Sequence, residues 1–239
     1  MTCQLSLDSV CKAYGAVVVA DAVSLEVQQG EALGVIGPNG AGKTSLFNLI
    51  TGTVKADSGE IMFAGNSVTR VSAAERCRAG MSRSFQIPQP FGGMTVFENV
   101  LVAAQQQGLA TRHTESHSLH VLEQTGLIGK ANVRAGSLTL LERKRLEIAR
   151  SLAATPQLLL LDEIAGGLTE RECESLIKLI TEVHSSGMTI IWIEHVVHAL
   201  LAVVDRLIVI DFGRIIADGE PAATMQSPEV REKYMGISA

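Results

Sequence analysis

Apolar and polar positions alternate early in the chain. Residues 16–27 (AVVVADAVSLEV) carry the period of two expected of strands with one buried face, and residues 31–37 (EALGVIG) form a short apolar run closed by glycine. A helical period follows from Lys43 to about Thr51. The turn signal Ala56-Asp57-Ser58-Gly59 then leads into a strand around Glu60–Phe63. The pattern changes over about 70–145, where longer helical stretches, a glutamine run at Gln105–Gln107 and a polar, histidine-bearing patch from Thr111 to His120 predict a helical insertion, placed at about 88–155. From Leu158 the earlier rhythm returns. LLLLD reads as a buried strand, RECESLIKLITEVHSSG as an amphipathic helix, MTIIWIEH as another buried strand, and LIVIDFGRIIADGEP as a hairpin turning near Asp211-Phe212-Gly213. Wholly apolar strands alternating with helices predict a mainly parallel α/β sheet covered on both faces, with a small antiparallel β portion beside it. No internal repeat or long linker divides the 239 residues, so one domain over 1–239 is expected.

Composition narrows the function. Hydrophobic residues make up 46% and charged ones 19%, with a mean hydropathy of +0.25. That balance excludes a disordered chain and suggests apolar surface that meets a partner. Lys and Arg number 20 against 25 Asp and Glu, a net charge of −5 with a pI near 5.7. Gripping nucleic acid through bulk charge is therefore not expected. Cys3, Cys11, Cys77 and Cys173 are scattered without metal or disulfide spacing, which fits a reducing compartment. The opening MTCQLSLDSVCKAYG lacks the apolar core of a leader. Thr189–Ile210 comes nearest to a membrane span but carries Glu194, His195, His198, Asp205 and Arg206, so strand, helix and strand is the better reading.

One motif carries chemistry. Gly37-Pro38-Asn39-Gly40-Ala41-Gly42-Lys43-Thr44 matches the phosphate-loop pattern G-x-x-x-x-G-K-[ST], with an apolar strand before it and a helical pattern after. The glycines let successive backbone N–H groups converge on phosphate oxygens, and the following helix presents its positive end to the same anion. Lys43 then bridges the β- and γ-phosphates, the Thr44 hydroxyl helps hold Mg²⁺, and Ser45 is within reach of the α-phosphate. Such a loop needs an acid on a neighbouring strand end. LLLLDE supplies Asp162 for Mg²⁺ and Glu163 to orient or deprotonate the attacking water.

GPNGAGKT, LLLLDE and their separation resemble the nucleotide-binding subunit of an ATP-binding-cassette (ABC) transporter, over about Leu5 to Gly236. The resemblance implies a P-loop NTPase fold with an antiparallel β subdomain and a helical subdomain. It implies that Tyr14 stacks on adenine, that Gln86 in SFQIPQPF contacts Mg²⁺ and reports to the membrane subunit, and that His195 in WIEH contacts the γ-phosphate. It also implies ATP and Mg²⁺ as ligands, transmembrane permease subunits and a second ABC ATPase subunit as partners, and no nucleic acid. A periplasmic or extracellular binding protein would take part indirectly, with this chain on the cytoplasmic face of the membrane. RLEIARSL, the AGGL after the acid pair and the tail from Asp211 are most similar to ATPases of branched-chain amino-acid uptake. An exporter ATPase, a regulatory subunit that does not turn ATP over, and an ABC ATPase serving cluster assembly or repair are the alternatives.

The family signature L-S-G-G-Q is replaced by Leu138-Thr139-Leu140-Leu141-Glu142. Leucines would crowd a close backbone approach to the phosphate bound on the opposite subunit. Glu142 would repel it unless tied up in the capping box that Thr139 and Glu142 are spaced to form. A weakened site in trans is expected. Ile164 and Leu168-Thr169 also depart from the family's usual proline and leucine–acid. Arg143-Lys144-Arg145 reads as a solvated helix face, as do His113, His117 and His120. Phe85, Phe91 and Phe97, beside Pro88 and Pro90, predict an apolar groove around Phe91 that receives a permease helix.

Overall fold

The computed structural model describes residues 2–105, 111–228 and 230–231. Gln106 and Gln107, Glu229 and the tail beyond Arg231, all used in the sequence reading, lie outside them. The chain begins with β1 (Cys3–Tyr14), β2 (Val17–Gln28) and β3 (Ala32–Ile36), then α1 (Lys43–Thr51), β4 (Ser58–Phe63) and β5 (Asn66–Ser67). Next come α2 (Ala73–Arg78), β6 (Met81–Arg83), α3 (Val96–Ala104), α4 (Thr111–Gln124) and α5 (Leu140–Ala153). The last part holds β7 (Leu158–Asp162), α6 (Glu170–Ser185), β8 (Thr189–Ile193), α7 (Val197–Leu201), β9 (Arg206–Asp211), β10 (Arg214–Gly219) and α8 (Pro221–Gln226).

Two sheets form, in the orders β2-β1-β4-β5 and β10-β9-β3-β8-β7-β6. The first is antiparallel. In the second every pairing is parallel except β9 with β10, which turns at Asp211-Phe212-Gly213. Its central strands β3, β7 and β8 are buried at every position, as helices or strands on both faces require. Alternate residues part to opposite sides. Leu159, Leu161, Ile190, Trp192, Leu207 and Val209 join a core with α3 to α7, whereas Leu158, Leu160, Ile191, Ile193, Ile208 and Ile210 join α1 and the antiparallel sheet.

The C-terminal end of α1 is fixed by the chain's own residues. Gly52 closes it in the left-handed region (φ 74°). Arg76, 2% exposed, donates through Nη1 to the Leu49 and Ile50 carbonyls at 2.8 and 2.7 Å, a cation at the negative end of the helix dipole. Helices α3, α5 and α6 each start with a capping box, Thr95 with Glu98, Thr139 with Glu142, and Thr169 with Glu172.

The structure adds two strands that the sequence pattern did not predict and corrects two expected solvated faces. The opening segment is strand β1: Leu5, Leu7 and, past an irregularity in register, Val10 are buried in the core, while Asp8 and Ser9 are exposed. Within the stretch read as helical, Met81–Arg83 forms the outermost strand of the parallel sheet, too short to show a period. Arg143-Lys144-Arg145 is not a solvated face. Arg143 donates to the Leu138 and Gly136 carbonyls, Arg145 to the Thr125 carbonyl and Ser175 Oγ, and Lys144 is 3% exposed. His117 likewise turns inward, Nε2 lying 3.2 Å from the Ala153 carbonyl oxygen.

Candidate functional site

The loop from Gly37 to Gly42 joins the end of β3 to the start of α1, and its glycines are set by close approach. A Cβ on Gly37 would lie 2.2 Å from the Ile210 carbonyl oxygen, and one on Gly42 (φ +106°) 2.5 Å from that of Val19. The hairpin turn beyond β9 also braces the loop, since Gly213 N–H donates to the Ala41 carbonyl at 2.8 Å. Lys43 is 5% exposed and folds back along the loop, Nζ donating to the carbonyls of Gly37 at 2.8 Å and Pro38 at 3.0 Å. Burial pushes its pKa down, opposed by the negative charges of Glu163 and Asp162. Asn39, Gly40 and Thr44 are exposed, and Pro38 and Ser45 half-buried. A positively polarised helix end behind a glycine-rich loop is the geometry that holds an anion, although the Ala41 N–H here donates to the Pro38 carbonyl at 3.2 Å.

Asp162 ends β7 and is 5% exposed. Its Oδ2 accepts from Arg83 Nη2 at 2.6 Å. Together with Thr44, Gln86 and Phe85, both residues line one cleft of about 570 Å³. Glu163 follows in a left-handed backbone conformation, φ +46°, which costs a side-chain-bearing residue about 1–3 kcal/mol and aims its carboxylate away from the strand. That carboxylate bridges two loops: Gln86 Nε2 donates to Oε2, and His195 Nε2 lies 2.8 Å from Oε1. Gln86, Asp162, Glu163, Lys43 and His195, distant in sequence, therefore converge. Tyr14 stands apart from them on β1, half-exposed, with the Lys12 ammonium 5.3 Å from its ring centre.

Glu194 escaped the sequence reading. It is 1% exposed, and its carboxylate accepts the backbone N–H groups of Ala165 at 2.6 Å, His195 at 2.9 Å and Val196 at 3.2 Å. It thus pins the loop after Glu163 to the loop bearing His195. A carboxylate inside an otherwise apolar strand end, WIEH, was the available signal. Arg83 was missed as well, having no motif of its own.

The departures in the signature region have local explanations. Glu142 Oε2 accepts the Thr139 N–H at 3.0 Å while Oε1 pairs with the Lys130 ammonium, which holds its carboxyl below the usual carboxylate range. Leu141 packs on the helical core, and Leu140 stays 42% exposed. Ile164 is a core residue at 1% exposure, and Thr169 caps α6.

Residues 20–166 match the family model described as ABC transporter. The chain belongs to the ABC transporter family. Among its relatives is the high-affinity branched-chain amino acid transport ATP-binding protein LivG of Salmonella typhimurium, 36% identical over 97% of both chains. The corresponding BraF protein of Pseudomonas aeruginosa is 33% identical, again over 97% of both. A nucleotide-free ATP-binding cassette from an ABC transporter superposes with a TM-score of 0.89 at 30% identity, covering 99% of this chain and 100% of that one. A cassette in its ADP conformation gives 0.89 at 31%, with the same coverage. The α/β fold is thus that of ABC ATPase cassettes. Among the described residues of this cassette, no helix is long and apolar enough to cross a membrane.

Proposed function

We propose that this cassette binds ATP on the Gly37–Thr44 loop and hydrolyses it, powering an importer for branched-chain or related amino acids from the cytoplasmic face of a membrane. The observation that carries the reading is Glu163 held between Gln86 and His195 beside Lys43. The amino-acid class rests on the LivG and BraF relatives, which align over nearly the whole chain.

In this reading Tyr14 stacks on adenine, and the amides of Gly40, Ala41 and Gly42 with Ser45 cradle the phosphates. Lys43 exchanges the Gly37 and Pro38 carbonyls for β- and γ-phosphate oxygens. Thr44, Gln86 and Asp162 bring hydroxyl, amide and carboxylate oxygens to one cleft, the hard donors that Mg²⁺ takes. Bound there, Mg²⁺ neutralises charge on the phosphates. Glu163 accepts the proton of the attacking water, and His195 meets the γ-phosphate and steadies Glu163 in the meantime. The contact between Glu163 and His195 favours turnover over a purely regulatory role.

Turnover requires a second cassette. This chain's own signature, with Leu140 exposed where the family has glycine, supports a weak contribution to the opposite site through crowding, whereas the Glu142 charge is taken up by the Thr139 N–H and Lys130. Phe85 and Ile87, 57% and 70% exposed, and Phe91, 49% exposed, supply apolar surface for a permease helix, whereas Phe97 is partly buried against the core. A binding protein outside the membrane would deliver the ligand to the permease.

The test is purification of the complex from membranes, identification of its permease subunits, and assay of ATP hydrolysis with and without branched-chain amino acids. Amino-acid-stimulated hydrolysis supports the reading. Absence of any membrane partner, or no hydrolysis within the complex, contradicts it.

A further inference from the structure

Arg83 joins two surfaces that the proposed function uses separately. It ends β6, with its side chain 10% exposed. Nη2 donates to Asp162 Oδ2 at 2.6 Å, and Nη1 to Asn48 Oδ1 on α1 at 2.7 Å. The guanidinium carbon lies 5.4 Å from the ring centre of buried Phe47 and 5.3 Å from that of exposed Phe85. Nε is buried without a hydrogen-bond partner. Burying an ion pair and leaving one N–H unpaired brings little stability over apolar packing. What the arrangement does fix is geometry. A guanidinium is a rigid planar fork, so one group donates to two fixed acceptors with its carbon near both rings, a geometry that a flexible ammonium does not lock.

We propose that Arg83 is a positioning residue for Asp162. It anchors Oδ2, leaving the other oxygen, which accepts from no described residue, to the cleft shared with Thr44. Its contact with Phe85 makes that anchoring sensitive to whatever covers the docking surface. This route differs from the one through Gln86, which reaches Glu163. Two side chains three positions apart thus hold the two acids separately. The inference rests on the reading of Asp162 as a Mg²⁺ carboxylate.

The experiment measures binding of a fluorescent ATP analogue to the whole chain, in chelator and then across a Mg²⁺ titration. Arg83→Met is expected to raise the Mg²⁺ concentration for half-maximal tightening about tenfold, the scale seen when a partner of a metal-binding carboxylate is removed. Binding in chelator, which relies on the phosphate loop, stays at the wild-type value. Arg83→Lys falls between the two, and Phe85→Ala, a surface change, shifts the Mg²⁺ requirement the same way by less. An Arg83→Met requirement equal to or below that of wild type overturns the inference. Should that variant fail to fold, the absence of any shift in both Arg83→Lys and Phe85→Ala overturns it equally. Wild-type binding that ignores Mg²⁺ would instead remove the reading of Asp162, and the inference with it. A wild-type response without an Arg83 effect removes the inference alone.

Discussion

Glu163 Oε1 lies 2.8 Å from His195 Nε2, a contact between the ends of β7 and β8 made possible by the left-handed backbone at Glu163. Gln86 holds the other carboxylate oxygen. In the proposed role of base, Glu163 is restrained from two sides and would exchange these partners for water and phosphate. Glu163→Gln should lower hydrolysis by the permease complex by about 10²–10⁴-fold, the usual worth of a general base, with ATP binding retained. Phosphate release and nucleotide titration measure the two separately. Hydrolysis within a few fold of wild type would count against Glu163 as the base.

Leu140 is exposed where an ABC signature offers glycine, whereas Leu141 packs on the core. Leu140→Gly therefore relieves crowding without opening a cavity, and Glu142→Gln removes the carboxylate while leaving an amide able to cap α5. The double variant should raise hydrolysis by a homodimer, measured against single-variant controls. Full activity in the wild-type homodimer, unchanged in the variant, would contradict a weakened signature.

Lys130 lowers the pKa of Glu142, so the ion pair stabilises the native state at neutral pH. That contribution is lost as pH falls through the depressed native pKa. Lys130 is 45% exposed, and the pair is worth no more than about 1 kcal/mol. Lys130→Ala should lower the melting temperature slightly at neutral pH and match wild type in acid. A difference that persists at acid pH would assign the effect to something other than the pair.

Phe91 is held at its backbone by buried Asn99, which accepts its N–H at 2.8 Å and donates to its carbonyl at 3.1 Å, while the Arg150 guanidinium lies 5.2 Å from its ring centre. The ring thus presents an apolar surface from a fixed position. Phe91→Ala should reduce co-purification with permease subunits and leave ATP binding intact. Unchanged co-purification would place the docking surface elsewhere.

The phosphate loop and the acid pair were legible because their residue types follow from local chemistry: glycines where a Cβ meets a carbonyl, acids where an apolar strand ends. Asp162 and Glu163 were readable as a pair, but the handover from Arg83 to one and from Gln86 and His195 to the other was not, since those contacts cross the sheet. Glu194 looked like one more charge spoiling a membrane span. Only folding shows that it caps backbone amides of two loops. The basic run at 143–145 misled for the same reason, because helical spacing does not reveal which carbonyls lie beneath a long side chain.

Lys43 offers the most direct test of the central claim, that the loop after β3 captures the triphosphate of ATP. Its ammonium now rests on the Gly37 and Pro38 carbonyls and would trade them for phosphate oxygens. Titration of ATP with Mg²⁺ should give saturable binding to the wild-type chain, weakened in Lys43→Ala by about 10–100-fold, as expected for loss of charge-assisted hydrogen bonds. A wild-type chain that does not bind ATP, or binds it as tightly with alanine at that position, would contradict the account.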